Sequence, residues 1–181
     1  MDLIILIGLQ ASGKSTFFHT HFDATYEYVS KDLLRNNKRP NRKQMQLIES
    51  ALQAQRSVVV DNTNPTVEDR TSLIHLGRMY GARIIGYYFE SQVSMCIKRN
   101  KQREDKARVP DVAIYATAKK LVLPTYAEGF DELYYIRIAN NSGFEVQQWS
   151  TSTLLLTDQR ARIRQVFDCI FPPQTMLFNS L

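Results

Sequence analysis

The residues that declare a chemistry come early in the chain. Gly8-Leu9-Gln10-Ala11-Ser12-Gly13-Lys14-Ser15, followed by Thr16, fits the pattern G-x-x-x-x-G-K-[ST] in full. Two glycines let such a loop bend so that successive backbone N–H groups face inward. A helix starting there adds positive potential at the same spot. Lys14 would set a point charge on the β- and γ-phosphates, and Ser15 would give a hydroxyl to Mg²⁺ or Mn²⁺. The pattern predicts a phosphate-binding P-loop for ATP or another nucleoside triphosphate, with Gly8, Gln10, Ala11, Ser12, Gly13, Lys14, Ser15 and Thr16 as its residues. It does not say what is done with the nucleotide. An acidic partner is expected at the end of a neighbouring strand, and Asp61 after Val58-Val59-Val60 fits. It can hold the metal through a water, or it can simply cap the next helix. Thr63 and Asn64 then fall at the mouth of the site, where they contact phosphate or make the turn.

Two further clusters bear on the reaction. In Ser30-Lys31-Asp32-Leu33-Leu34-Arg35 the carboxylate of Asp32 and the guanidinium of Arg35 are three residues apart, so a helix would put them on one face. Asp32 can accept the proton of an attacking hydroxyl while Arg35 grips a phosphate on the acceptor. An exposed ion pair is the plain alternative. In Lys98-Arg99-Asn100-Lys101-Gln102-Arg103 the two arginines are four apart and share a helical side. A mobile lid carrying them can close on the charge of a phosphoryl transfer. A solvated basic helix end is the plain alternative, and it suits the helix dipole.

These residues need elements to hold them. Residues 3 to 7 form an all-apolar run ending in Gly8, the mark of a strand buried on both faces. A helix is expected over Lys14–His21, a short strand over Tyr26–Val29, and a helix beginning at Lys31 behind the cap Ser30. Helix is expected again over Met45–Gln55, and strand over Ser57–Val60. Pro65 suits the first turn of a helix near 65–79, which Gly81 ends. Strand over Arg83–Phe89, helix over 91–104, helix over Asp111–Leu121 and strand over Leu133–Ile138 complete the alternation. Phe144–Trp149 reads as a further strand folding back on the last one, and Asp158–Cys169 as a helix stopped by Pro172-Pro173. Alternating strands and helices predict an α/β fold with a parallel sheet covered on both faces. The expectation is a P-loop NTPase fold with a central, mostly parallel sheet of about five strands flanked by helices, plus a helical lid. The domain is read as single, 1–181, with its core at about 3–138, the lid at about 98–110 and an extension over 140–181.

Composition limits the classes. The chain has 181 residues, 44% hydrophobic and 23% charged, a soluble globular balance. No apolar run approaches the ~18 residues of a spanning helix. The apolar start has no basic leader, so a signal peptide is not expected. Two cysteines, Cys96 and Cys169, form no disulfide framework and no zinc spacing, which points to a reducing, cytoplasmic setting. An Asn-Lys-x-Asp base-reading motif is absent, which argues against a guanine-nucleotide switch. The net charge of +5 is unevenly spread: Lys31–Lys43 alone carries +5, Lys98–Arg108 carries +4, and the rest sums to −4.

Taken together, the P-loop, Asp32-Leu33-Leu34-Arg35, Val60-Asp61-Asn62-Thr63-Asn64-Pro65 and Arg99-Asn100 with Arg103 resemble the polynucleotide 5′-kinase family. Pro124-Thr125 and Ala127-Glu128-Gly129-Phe130 add to the likeness, which covers about residues 3–138. The resemblance implies that Asp32 is the general base on a 5′-hydroxyl of RNA or DNA, and that Arg35 holds the acceptor's first phosphate. It implies that Lys14 and Ser15 bind phosphates and metal, that Asp61 supports the metal, and that Arg103, with Arg99, stabilises the transition state. The acceptor strand would then follow Lys38, Arg39, Arg42 and Lys43. The family's aspartate-rich phosphatase signature is not found, so a phosphatase or ligase would be a separate module or pathway partner. A small-molecule kinase on the same scaffold and a non-catalytic nucleotide-dependent binding module are the competing readings.

Overall fold

A computed structural model describes residues 1–104, 107–139 and 143–150, and the helix expected over Asp158–Cys169 lies outside these. The strand β1 (Asp2–Ile7) is buried from Leu3 onward. It sits centrally, paired in parallel with β3 (Val58–Asp61) on one side and β4 (Arg83–Phe89) on the other. The sheet continues to β2 (Glu27–Val29) at one edge, and through β5 (Glu132–Ile138) to β6 (Phe144–Gln148) at the other. The spatial order is β2-β3-β1-β4-β5-β6. Five strands run parallel and β6 alone is antiparallel, with Arg137 opposite Glu145. The mostly parallel sheet is as expected: five parallel strands, with the segment after Gly143 turning back to pair along β5 as a sixth.

The burial of β1 on both sides follows from its neighbours. Leu3, Ile5 and Ile7 pack with Val58, Val60, Ile48, Leu52 and Leu73, under α2 (Pro40–Gln53) and α3 (Val67–Met79). Ile4 and Leu6 face the other way, onto Phe17 and Phe18 of α1 (Lys14–His21), Val59 and Phe89. Period-2 alternation places both sets in a dry layer, and each fully buried side chain is worth roughly 1.5–3 kcal/mol. A smaller cluster of Leu9, Cys96 and Ile114 joins α4 (Val93–Lys101) and α5 (Asp111–Lys120) to the phosphate loop. Among the described residues no helix is long and apolar enough to cross a membrane.

Several boundaries depart from expectation, each for a local reason. The segment behind Ser30 is a single 3-10 turn, Lys31–Leu34, and not an α-helix. Asn36-Asn37 follow, and Pro40 then opens α2. Proline is favoured at that first helical position, so α2 begins well before Met45. Pro65 stands just outside α3, whose cap is Thr66 in a reciprocal capping box with Asp69. The helix α4 stops at Lys101. Arg99 and Arg103 therefore do not share a helical side. The stop is set by Asn100, whose carboxamide is buried and turned onto the chain beyond the helix.

Candidate functional site

The site lies at the carboxyl ends of the parallel strands, where the chain leaves β1 for one side of the sheet and later returns on the other. Crevices at such switch points hold ligands in open α/β sheets. Leu6 stands in register with Asp61. The loop that follows β1 and the acid that ends β3 are therefore neighbours by strand pairing. The backbone N–H of Gly8 donates to the Thr63 carbonyl at 3.0 Å, tying the two strand ends together.

Gly8 has φ 146° and Gly13 has φ 105°. A Cβ on Gly8 would come within 3.0 Å of Ser91 Oγ and 3.1 Å of the Phe89 carbonyl. Ser91 Oγ in turn accepts the Leu9 N–H at 3.1 Å. Gly13 is the N-cap of α1, with no side-chain cap and no acid in the first turn. The positive end of that helix is thus left uncompensated by the protein, which makes it an anion site. Lys14 is 7% exposed. Its Nζ donates to the carbonyls of Gly8 at 3.0 Å and Leu9 at 2.6 Å. Burial pulls the ammonium down to about 8, against the opposing field of Asp61. Ser12 is buried, with its Oγ 3.3 Å from Lys14 Nζ. Thr16 is exposed on α1.

Asp61 is buried and takes two short hydrogen bonds on one oxygen. Ser15 Oγ donates to Oδ2 at 2.5 Å, and the Tyr28 hydroxyl donates to it at 2.7 Å. Burial and the nearby carboxylate push the Tyr28 phenol up to about 12, so it remains a donor at neutral pH. A serine hydroxyl against a carboxylate is a pair of hard oxygen donors, which suits Mg²⁺. Among the described residues no group of three or more His, Cys, Asp and Glu gathers as a metal cage. That is compatible with an ion held mostly by water and substrate phosphates.

The 3-10 turn is docked onto this centre. Ser30 Oγ caps it by accepting the Asp32 N–H at 3.2 Å, and Asn62 Oδ1 accepts the Lys31 N–H at 3.0 Å. Residues three apart eclipse in a 3-10 turn. Arg35 accordingly reaches Asp32 Oδ1 through Nε at 3.2 Å and Nη2 at 2.8 Å, with both side chains exposed. A cleft of about 250 Å³ opens between these parts. It is lined by Gln10, Ala11, Gly13, Lys14, Ser15, Lys31, Asp32, Arg35, Asp61, Asn62, Thr63, Arg103, Ala107 and Val109.

Other residues expected at the site lie elsewhere. Arg99 does not line the cleft; its Nε donates to the Ala11 carbonyl at 2.8 Å and its Nη2 lies 3.7 Å from Cys96 Sγ. It braces the phosphate loop from behind. Asn64 is buried with φ 41°, and its Nδ2 donates to the Leu6 carbonyl at 2.7 Å. Its amide thus fixes the turn to the end of β1. Lys38, Arg39, Arg42 and Lys43 are exposed, outside the cleft, on the approach to α2 and in its first turn.

Three parts of the site went unread in the sequence. Tyr28 reaches Asp61 only because β2 pairs with β3. Asn100 donates to the Val109 carbonyl at 2.7 Å and accepts the Val109 N–H at 3.1 Å, tying the end of α4 to the stretch before α5. Arg70, fully buried, holds Glu128 with two bonds of 2.6 and 2.9 Å and the carbonyls of Asn64 and Val122 at 3.1 Å.

Known proteins resemble this chain in sequence or in fold. A bifunctional polynucleotide phosphatase/kinase of Schizosaccharomyces pombe is 29% identical over 133 residues, covering 71% of this chain and 32% of that protein. A putative bifunctional polynucleotide phosphatase/kinase of Acanthamoeba polyphaga mimivirus is 25% identical over 167 residues, covering 88% of this chain and 39% of that protein. The chain thus spans between 32% and 39% of the length of these curated relatives. A putative kinase of Chloroflexus aurantiacus has the same fold at a TM-score of 0.61 and 14% identity, covering 91% of this chain and 96% of the other. A gluconokinase of Sinorhizobium meliloti has it at 0.56 and 16%, covering 94% and 96%. The profile of the AAA domain matches residues 3–124. That match takes in the phosphate loop, the Asp32 turn, Asp61 and the arginines of α4 and its end, and on it the chain belongs to the AAA-domain family of P-loop proteins.

Proposed function

We propose that the protein is a polynucleotide 5′-hydroxyl kinase, transferring the γ-phosphate of ATP or another nucleoside triphosphate to a 5′-OH end of RNA or DNA. One observation carries the reading. A single cleft brings the phosphate loop, the Ser15–Asp61 pair, the Asp32–Arg35 pair and Arg103 to face one another. A nucleotide-binding module with no acceptor would need only the first two. The curated relatives, named polynucleotide phosphatase/kinases, support the choice of acceptor.

The chain's own residues supply the chemistry. The triphosphate lies on the loop with its charge against Lys14 and the amino end of α1. Ser15 and, through water, Asp61 would hold Mg²⁺ or Mn²⁺, which when bound neutralises charge on the β- and γ-oxygens. Arg35 steadies the Asp32 carboxylate and engages the phosphate 3′ to the acceptor's terminal sugar. Asp32 takes the proton of the 5′-hydroxyl as its oxygen bonds to the γ-phosphorus. The bond from that phosphorus to the β–γ bridging oxygen breaks, and the nucleoside diphosphate leaves. Arg103 meets the charge spreading over the transferred group. Thr63 borders the acceptor's path. In this reading the enzyme heals nucleic-acid ends in the cytoplasm, beside a phosphatase or ligase held elsewhere.

The test is incubation of the protein with γ-labelled ATP, Mg²⁺ and 5′-OH RNA or DNA oligonucleotides. Label should appear at the 5′ end. Asp32→Ala should lower the rate by about 10²–10⁴-fold, the usual share of a general base, while triphosphate binding persists. Label on small hydroxyl compounds alone, or nucleotide binding with no product, would overturn the assignment.

A further inference from the structure

A second cleft, also of about 250 Å³, adjoins the first. Lys31 lines both, and Thr63 of the one is followed in the chain by Asn64 of the other. It runs between α2 and α3. Its lining includes the apolar Met45 and Leu73, with Glu68 and Asp69 at the amino end of α3. Gln44 also lines it, and is only 3% exposed. Its Oε1 is buried with no hydrogen-bond partner among the described residues. An unmade bond on a buried amide is costly. The last torsion of a glutamine is broad and soft, so a small turn of the carboxamide presents that oxygen to the cleft.

This chemistry suits one kind of guest. Apolar side chains offer a surface to a flat ring. The two carboxylates repel a phosphate, and they and the amide oxygen all accept N–H donors. In a nucleoside the base is a few bonds from O5′, so an acceptor with its 5′-oxygen at Asp32 has its base within reach of this neighbouring cleft. We infer that the cleft between α2 and α3 receives the base of the acceptor's 5′-terminal nucleotide, with Gln44 accepting an N–H from an exocyclic amino group. The inference rests on the polynucleotide kinase reading and deepens it, making Gln44 a specificity-determining residue. Bases with an exocyclic amino group (A, C, G) are favoured over U or T.

The experiment compares 5′-OH oligonucleotides that differ only in the first base. The wild-type protein should use A, C and G ends about five- to tenfold better than U in kcat/KM, the yield of one hydrogen bond, with the difference in KM. Gln44→Leu and Gln44→Met should each bring the amino bases down to the level of U while leaving kcat on U unchanged. Both variants should unfold at the same or a higher temperature, since they remove an unpaired buried oxygen. Equal use of all four bases by the wild type, or discrimination that persists in either variant, would overturn the inference and leave the kinase reading standing. Failure to label any oligonucleotide would instead sink the kinase reading, and this inference with it.

Discussion

Asp61 receives hydrogen bonds from two directions, and they differ in what they reveal. The bond from Ser15 follows from a local rule: a P-loop hydroxyl meets the acid at the end of the adjacent strand. The bond from Tyr28 required the knowledge that β2 lies beside β3. Tyr28→Phe removes one donor to a buried carboxylate. It is expected to cost about 1–2 kcal/mol of stability, read from denaturant unfolding, with triphosphate binding retained through Ser15. An unchanged unfolding midpoint would mean that the phenol does not hold the acid. Arg99 and Arg103 separate at the same scale. Spacing alone assigned them one job, yet Arg99 is bonded to the Ala11 carbonyl while Arg103 borders the cleft. Arg103→Ala should lower kcat by about 10²–10³-fold, as loss of a charge-stabilising donor does. Arg99→Ala should mainly raise the KM for the nucleotide, by about tenfold, by loosening the loop. Steady-state kinetics on both variants would refute the division of labour if the two profiles coincided.

The elements that carry these residues were legible where the signal is short-range. An all-apolar β1 before a glycine, the strand Val58–Asp61, and Gly81 after α3 are each set by a few adjacent residues. What was not legible depends on partners far apart in sequence. Asn64 read as either a phosphate contact or a turn residue; it makes the turn, through a bond to Leu6 that nothing nearby announces. Arg70 and Glu128, 58 residues apart, form a buried pair that anchors the turn after β3 to the segment before β5. Glu128→Ala leaves the guanidinium buried and unpaired, and should cost about 3–5 kcal/mol. Replacing both, Arg70→Met with Glu128→Leu, should recover only part of that loss. The carbonyls of Asn64 and Val122 would still lack their donor. Denaturant titrations decide it: a single-variant cost under about 1 kcal/mol would remove the pair from the framework.

At the scale of the whole molecule, α3 and α5 carry acids in their first turns and bases in their last, as the helix dipole favours, and α2 departs from that pattern. The first turn of α2 contains no acid, and Arg42 and Lys43 lie at its amino end, where the dipole disfavours cations. With Lys38 and Arg39 they make an exposed cationic approach beside the Asp32 turn. Under the proposed kinase reading, these four cations are the track for the anionic acceptor strand. Neutralising all four should raise the oligonucleotide KM and flatten its dependence on salt, by roughly 0.7 in log–log slope for each phosphate that is no longer neutralised. Unchanged KM and slope would route the strand elsewhere. A different consequence follows from the Asn100 clasp. Because the Asn100 side chain grips Val109 with two bonds, the stretch of chain between them is a ring closed at its root. Extra residues inserted within the ring lengthen its reach without shifting α4, α5 or the phosphate loop. Each doubling of its length costs only about 0.6 kcal/mol in closure entropy. On this count the segment between Asn100 and Val109 can change in length while the clasp that closes it stays as it is.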